Sequence, residues 1–210
     1  MGASRIISVD LHVSQATGFV SPKVPFDNLE GAFAGLSYFL EEIPDKNNLV
    51  VISPDAGGLA RAKAFHKHFS YFGETGVSLA MLNKERKEAN KIEKMELVGD
   101  VTGKTCVIID DMIDTAGTLC EAAKVLKEKG AKKVYAFASH GLFSGPAAER
   151  IKNSHLEKVI TTDSIPVSQQ FKDTVGDKYS QVSLGMLIAE TIRRVHQHES
   201  MEELYQIPVY

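Results

Sequence analysis

Tryptophan is absent from this 210-residue chain, and cysteine occurs only twice, at Cys106 and Cys120. Two cysteines cannot staple a small secreted scaffold, and these two lack the spacing of a metal site. Both read as small core hydrophobes of a protein kept in a reducing compartment. An excess of positive charge is missing too: 24 Lys and Arg stand against 27 Asp and Glu, a formal net charge of -3. No global basic field is therefore present to attract nucleic acid. No apolar stretch is long enough to cross a bilayer. The start, Met1-Gly2-Ala3-Ser4-Arg5-Ile6, has neither the apolar core of a secretion signal nor the Ser or Thr that myristoylation wants at position 6. Low-complexity segments and internal repeats are also lacking. These absences point to a cytoplasmic protein of small-molecule chemistry, without membrane or nucleic-acid partners, long enough to bury one full core with or without appendages.

What the sequence does have is a series of short apolar runs alternating with helical stripes. Residues 6–9, 49–52, 77–82, 107–109, 134–138 and 159–161 read as strands. Between them, Leu29, Phe33, Leu36, Phe39 and Leu40 recur at helical spacing until Pro44. Residues 59–69 and 146–152 read as further helices, and Leu119, Ala122, Ala123 and Leu126 stripe another. Leu184, Leu187, Ile188, Ile192 and Val195 stripe a last one. Such alternation predicts an α/β fold with a mostly parallel sheet flanked by helices, and a ligand site at the carboxyl ends of the strands. The densely charged residues 83–94 read as an exposed loop or a solvated ribbon between strands.

The most informative segment is Val107-Ile108-Ile109-Asp110-Asp111-Met112-Ile113-Asp114-Thr115-Ala116-Gly117-Thr118. A buried strand leads into paired carboxylates, and then into a small hydroxyl-rich turn that opens a helix. A helix N-terminus offers unpaired N–H groups and a positive dipole end, Gly117 allows the backbone to close on an anion, and Thr115 and Thr118 add hydroxyl donors. Asp110 and Asp111 suit vicinal hydroxyls, so donors and acceptors a few residues apart match the two ends of a phosphorylated pentose. A simple N-capped strand end needs only one of these polar residues. Three other clusters carry chemistry. His12 stands just past the first strand. Asp55, in Ser53-Pro54-Asp55-Ala56-Gly57-Gly58, offers the hard oxygen that Mg²⁺ prefers. Lys84 and Arg86, two residues apart in a charged segment, could close on a polyphosphate.

The order of these motifs resembles the C-terminal two-thirds of the ribose-phosphate pyrophosphokinase family, the enzymes that make phosphoribosyl pyrophosphate. The resemblance runs from Arg5 nearly to Pro208. It rests on Val9-Asp10-Leu11-His12, the 53–58 loop, Asn83-Lys84-Glu85-Arg86-Lys87, residues 110–118 and Ser139-His140-Gly141-Leu142-Phe143-Ser144-Gly145-Pro146. Type I phosphoribosyltransferases share only the 110–118 element. The resemblance implies a type I phosphoribosyltransferase-like fold. It also implies transfer of the β,γ-diphosphoryl group of Mg-ATP to the C1 hydroxyl of ribose 5-phosphate, with Mg²⁺ as cofactor.

By the same resemblance, His12 and Asp55 act at the metal and ATP, and Lys84 and Arg86 at the transferring group. Asp110 and Asp111 hold the ribose hydroxyls, while Asp114, Thr115, Ala116, Gly117 and Thr118 hold the 5-phosphate. The family's allosteric phosphate and ADP site would take Gln15, Asp27 and Asn28. Residues 1–30 correspond to the end of an N-terminal domain, 31–195 to the C-terminal domain, and 196–210 to a tail expected to pack on the N-terminal domain. Most of that domain, with its adenine and ATP-phosphate clasps, has no counterpart here. The chain alone is therefore expected to bind Mg-ATP poorly, and to form homo-oligomers or assemble with full-length homologous subunits, in part through an exposed strand at residues 6–9. A non-catalytic synthetase-associated subunit and a type I phosphoribosyltransferase are the alternative readings.

Overall fold

The computed structural model describes residues 2–85 and 94–206. Its centre is a seven-stranded sheet built from β3 (Leu49–Ser53), β4 (Ser78–Glu85), β5 (Lys94–Val98), β6 (Thr105–Ile113), β7 (Lys133–Gly141), β8 (Lys158–Thr162) and β9 (Tyr179–Val182). The order is β5-β4-β3-β6-β7-β8-β9, and every pairing is parallel except that of β4 with β5. Helices cover both faces: α1 (Ala32–Glu42), α2 (Leu59–Tyr71) and α6 (Gly185–Gln197) on one, α3 (Gly117–Glu128), α4 (Ala147–Lys152) and α5 (Gln169–Val175) on the other. The α/β architecture with a mostly parallel, helix-flanked sheet is therefore the one the sequence predicts.

Strand periodicity sorts the core into two layers. Val50, Ile52, Cys106 and Ile108 pack with Leu119, Ala122, Ala123 and Leu126 of α3. The alternate residues Leu49, Val51, Val107 and Ile109 pack with Phe33, Phe39, Phe65 and Phe69 of α1 and α2. Consecutive side chains point to opposite faces, so a central strand buried on both sides reads as an unbroken apolar run. Cys106 is fully buried, and burial pushes its thiol up to about 12, which suits the inert core role read from sequence. Both cysteines are free.

Before this domain come β1 (Ile6–Val9) and β2 (Phe26–Leu29), which pair in parallel as a separate two-stranded ribbon. Strand β2 departs from the sequence reading, in which Leu29 began a helix. The helix starts at Ala32, and Leu29 ends a strand whose central residues are polar. That strand is held by side chains: Arg5 Nε lies 2.5 Å from Asp27 Oδ2, and Asn28 Oδ1 accepts from Ser8 Oγ at 2.9 Å and Leu11 N at 3.1 Å. Strands β5 and β9 and helix α5 are additional to the reading as well. In the tail, Leu204 is fully buried and Tyr205 sits edge-on to Phe33 at 5.3 Å, so residues 201–205 pack on α1 and α2 of this same domain. No helix among the described residues is long and apolar enough to cross a membrane.

Helix α1 approaches the sheet through a glycine: a Cβ at Gly35 would stand 2.3 Å from the Phe137 ring. A methyl group there has to displace a fully packed aromatic ring. Gly35→Ala is expected to lower unfolding free energy by about 1–3 kcal/mol, the usual cost of overpacking. Urea denaturation measures it, and an unchanged midpoint would mean that α1 is not seated as described.

Candidate active site

Strands β3 and β6 are neighbours, and the strand order reverses between them, with β4 beyond β3 and β7 beyond β6. A crevice at such a switch point is where open parallel sheets bind ligands. Residues 54–58 leave β3 there, and residues 114–116 leave β6. With His12 from the ribbon they enclose a cleft of about 390 Å³, lined by His12, Asp55, Asp110, Asp111, Asp114, Thr115, Ala116, Gly117 and Thr118 together with Met112, Ile113 and Leu119. The structure thus places His12, Asp55 and residues 110–118 around one cleft.

The left-handed residue of the turn is Ala116, at φ 57°, rather than Gly117. Gly117 serves closeness: a Cβ there would stand 3.3 Å from Arg150 Nη1. On the other side of the cleft, Asp55 Oδ1 accepts from Gly58 N at 2.8 Å and its carbonyl accepts from Ser53 Oγ at 2.6 Å, which curls the loop onto the start of α2. His12 reaches across, its Nδ1 2.7 Å from Asp111 Oδ2. An ionised carboxylate only accepts, so Nδ1 carries the hydrogen and Nε2 is left for a second partner. Arg61, in the first turn of α2, bridges both carboxylates, with Nη1 3.5 Å from Asp110 Oδ1 and Nη2 3.5 Å from Asp111 Oδ2.

The two carboxylates are tuned apart. Burial, followed by the hydrogen bond and charge of Asp111, pushes Asp110 up to about 7. Burial acts to raise Asp111 as well, but hydrogen bonds from Asp110 and His12 and the Arg61 charge hold it below the usual carboxylate range. Burial and the closeness of the two carboxylates thus favour a proton held within the pair.

A buried carboxylate docks the ribbon that carries His12. Asp10 has φ 41°, and its Oδ2 accepts from Gly31 N at 2.9 Å at the start of α1 and from Ser139 Oγ at the end of β7. His140 Nε2 lies 3.1 Å from Val9 O and 3.2 Å from Asp10 O, while its Nδ1 meets Ser164 Oγ at 2.8 Å. Burial raises the Asp10 carboxyl, with the Ser139 hydrogen bond the largest opposing influence. Asp10, Arg61, Ser139 and His140 are residues whose roles sequence reasoning missed. For Arg61 a signal existed: a cation between two alanines, on the first turn of the helix that follows the candidate metal loop.

Other expected residues are less gathered. Lys84 lies in β4 opposite Met95, and Arg86 falls outside the described residues. Asp27 and Asn28 occupy alternate faces of β2, the former on Arg5 and the latter in a neighbouring pocket of about 380 Å³ with His12, Arg61 and Glu30. Gln15 is exposed in a turn of 3-10 helix.

A family model described as the phosphoribosyl synthetase-associated domain matches residues 75–206. The chain belongs to this family. It is 44% identical over 207 residues to ribose-phosphate pyrophosphokinases of Vibrio parahaemolyticus and Vibrio cholerae, covering 98% of this chain and 62% of each relative. The relative from Neisseria meningitidis is 43% identical over 206 residues, covering 97% of this chain and 59% of its own. A solved phosphoribosylpyrophosphate synthetase from Mycobacterium smegmatis superposes with a TM-score of 0.78 at 36% identity, covering 94% of this chain and 60% of that one. The chain thus spans about three-fifths of the length of these relatives.

No three His, Cys, Asp or Glu side chains gather as a metal centre among the described residues. The free Nε2 of His12 and the second oxygen of Asp55 still fit a cation that keeps waters and substrate phosphates as its remaining ligands, which is how Mg²⁺ is usually held.

The raised Asp110 sets a pH dependence. Its folded value of about 7 lies above the ordinary carboxylate value, so folding takes up a proton between the two. The group costs nothing below its unfolded value, and its full cost appears above its folded one. Asp110→Asn removes that cost. The melting-temperature gain of Asp110→Asn over the parent should be near zero around pH 4 and grow to a plateau above about pH 7, modest because the side chain is 35% exposed. A gain that shrinks with rising pH would contradict the assignment.

Proposed function

We propose that this chain carries the ribose 5-phosphate site and the metal-facing residues of a ribose-phosphate diphosphokinase. In the reaction, the C1 hydroxyl oxygen of ribose 5-phosphate attacks the β-phosphorus of Mg-ATP. The bond from that phosphorus to the α,β-bridging oxygen breaks, AMP leaves, the hydroxyl proton passes to water, and phosphoribosyl pyrophosphate forms. The observation that carries this reading is the single cleft at the β3–β6 switch point, with paired carboxylates at one end and a helix-opening turn at the other. Asp110 and Asp111 hold the ribose hydroxyls, and Asp114, Thr115, Ala116, Gly117 and Thr118 hold the 5-phosphate.

His12, fixed through Nδ1 by Asp111, and Asp55 hold the metal end. Bound Mg²⁺ would neutralise and orient the ATP phosphates. Lys84 and Arg86 stabilise the diphosphoryl group in transfer, where alignment and charge stabilisation supply most of the catalysis. The direction of β4 supports this role: it runs parallel to β3 and leads out at the same end of the sheet as Asp55. The reading includes assembly with further copies or with full-length relatives, supported by the exposed apolar residues Phe19, Val13 and Ile7 of the ribbon. A subunit that binds sugar phosphate without turning over ATP is the second reading, favoured by the synthetase-associated description of the matching family.

Incubation of the purified chain with ribose 5-phosphate and Mg-ATP, alone and mixed with a full-length relative, separates the two. AMP produced in the mixture above the relative's own rate supports a catalytic chain. Sugar-phosphate binding with no added AMP supports the second reading. Gly117→Val should weaken ribose 5-phosphate binding at least tenfold by calorimetry, because its branched side chain enters the space beside Arg150; unchanged affinity would remove the phosphate from this turn. In a complex with full-length subunits, Lys84→Ala should lower kcat by about two orders of magnitude and leave KM for ribose 5-phosphate largely intact. A raised KM with normal kcat would make Lys84 a ground-state clamp instead.

A further inference from the structure

The turn at residues 114–117 is held from behind. Ile113 O accepts from Leu142 N at 2.9 Å and from Phe143 N at 3.1 Å, and Asp114 O accepts from Ser144 N at 3.1 Å. Thr115 O accepts from Arg150 Nη1 at 2.9 Å. Three successive carbonyls are therefore drawn toward the segment after β7 and the helix α4. Because C=O and the next N–H point opposite ways across a planar trans peptide, the N–H groups of Asp114, Thr115 and Ala116 are turned away from that segment, and all three residues line the cleft. Successive amides turned to one side form an anion-binding concavity.

The bracing segment is itself fixed against strain. Phe143 holds φ 52°, a left-handed conformation that is costly for an aromatic residue, and Gly145 holds φ 56°. Packing enforces it: the Phe143 ring stacks on Phe171 at 4.0 Å between centroids and meets Tyr179 edge-on at 5.7 Å. A Cβ at Gly141 would strike that ring at 2.4 Å. Residues 141–144, part of a segment conspicuous in the sequence, thus join the aromatic core to the back of the turn.

We propose that Arg150, acting with residues 142–144, is a positioning residue for the phosphate cradle: it holds the Thr115–Ala116 peptide in its left-handed turn from outside and does not touch the sugar phosphate. The role rests on the ribose 5-phosphate reading above. Its guanidinium lies against Gly117 and lines an adjoining surface hollow with Cys120, Lys124 and Ser154, while the cleft of Asp110 and Asp111 is lined without it. Arginine suits this place, because its planar fork stays charged at all working pH and donates in a fixed direction.

The test needs a readout with ligand and one without. Arg150→Ala should lower affinity for ribose 5-phosphate and for inorganic phosphate by about tenfold in calorimetry, the scale of one lost charge-assisted hydrogen bond. In the ligand-free protein, NMR residual dipolar couplings should show Ala116 leaving its positive φ. Arg150→Ala combined with Ala116→Gly should recover much of the lost affinity, since glycine enters the left-handed region without strain. Unchanged affinity in Arg150→Ala, or an unchanged Ala116 conformation, would overturn the brace. Lost affinity without rescue by glycine would reduce Arg150 to a remote charge and overturn the positioning role. A parent chain that binds no ribose 5-phosphate would defeat the proposed function, while the Ala116 conformation would still decide whether Arg150 shapes the turn.

Discussion

The parallel pairing of β3 with β6 is the constraint on which the rest of the site depends. Leu49 to Ile52 register against Thr105 to Ile108, and each strand is buried on both faces, so a one-residue slip would exchange the two core layers. That register places the end of β3, with Asp55, beside Asp110 and Asp111 near the end of β6. Because the chain continues outward from this pair in both directions, a crevice opens between them. The polar loops collect where the packing leaves space.

Two features outside the pair complete the cleft. The ribbon of β1 and β2 contributes His12, and it is docked by a buried carboxylate, Asp10, shared between α1 and β7. Glycine is required at the contact, since a Cβ at Gly31 would lie 2.5 Å from Ser139 Oγ and 2.9 Å from Asp10 Oδ2. Arg61 arrives on α2, and its two nitrogens tie the start of that helix to the carboxylate pair. Removing one member of such a network leaves the others poorly compensated, so the effects of single substitutions here are not expected to add.

Much of this was legible in the sequence, for a physical reason. The central strands are continuous apolar runs, and the α3 stripe at Leu119, Ala122, Ala123 and Leu126 is a clear helical period; together they placed residues 114–118 at the strand-to-helix turn. Strand β2 was hidden because Asp27 and Asn28 are satisfied by Arg5, Ser8 and the Leu11 amide, contacts that leave no hydrophobic pattern. Ala116 was hidden behind its neighbour: glycine is the usual left-handed residue, whereas here the alanine takes that conformation and the glycine gives room. Arg150 lies 35 residues from the carbonyl it binds, so its place depended on the return of β7 and α4 to the same edge.

The central claim is that one cleft reads both ends of a phosphorylated pentose. A crystal structure of this chain soaked with ribose 5-phosphate tests it most directly. The account predicts the phosphate within hydrogen-bond distance of the amides of residues 115–118, and the sugar hydroxyls on Asp110 and Asp111. A sugar bound in the reverse orientation, or a phosphate seated elsewhere on the molecule while this cleft holds only solvent, would contradict it.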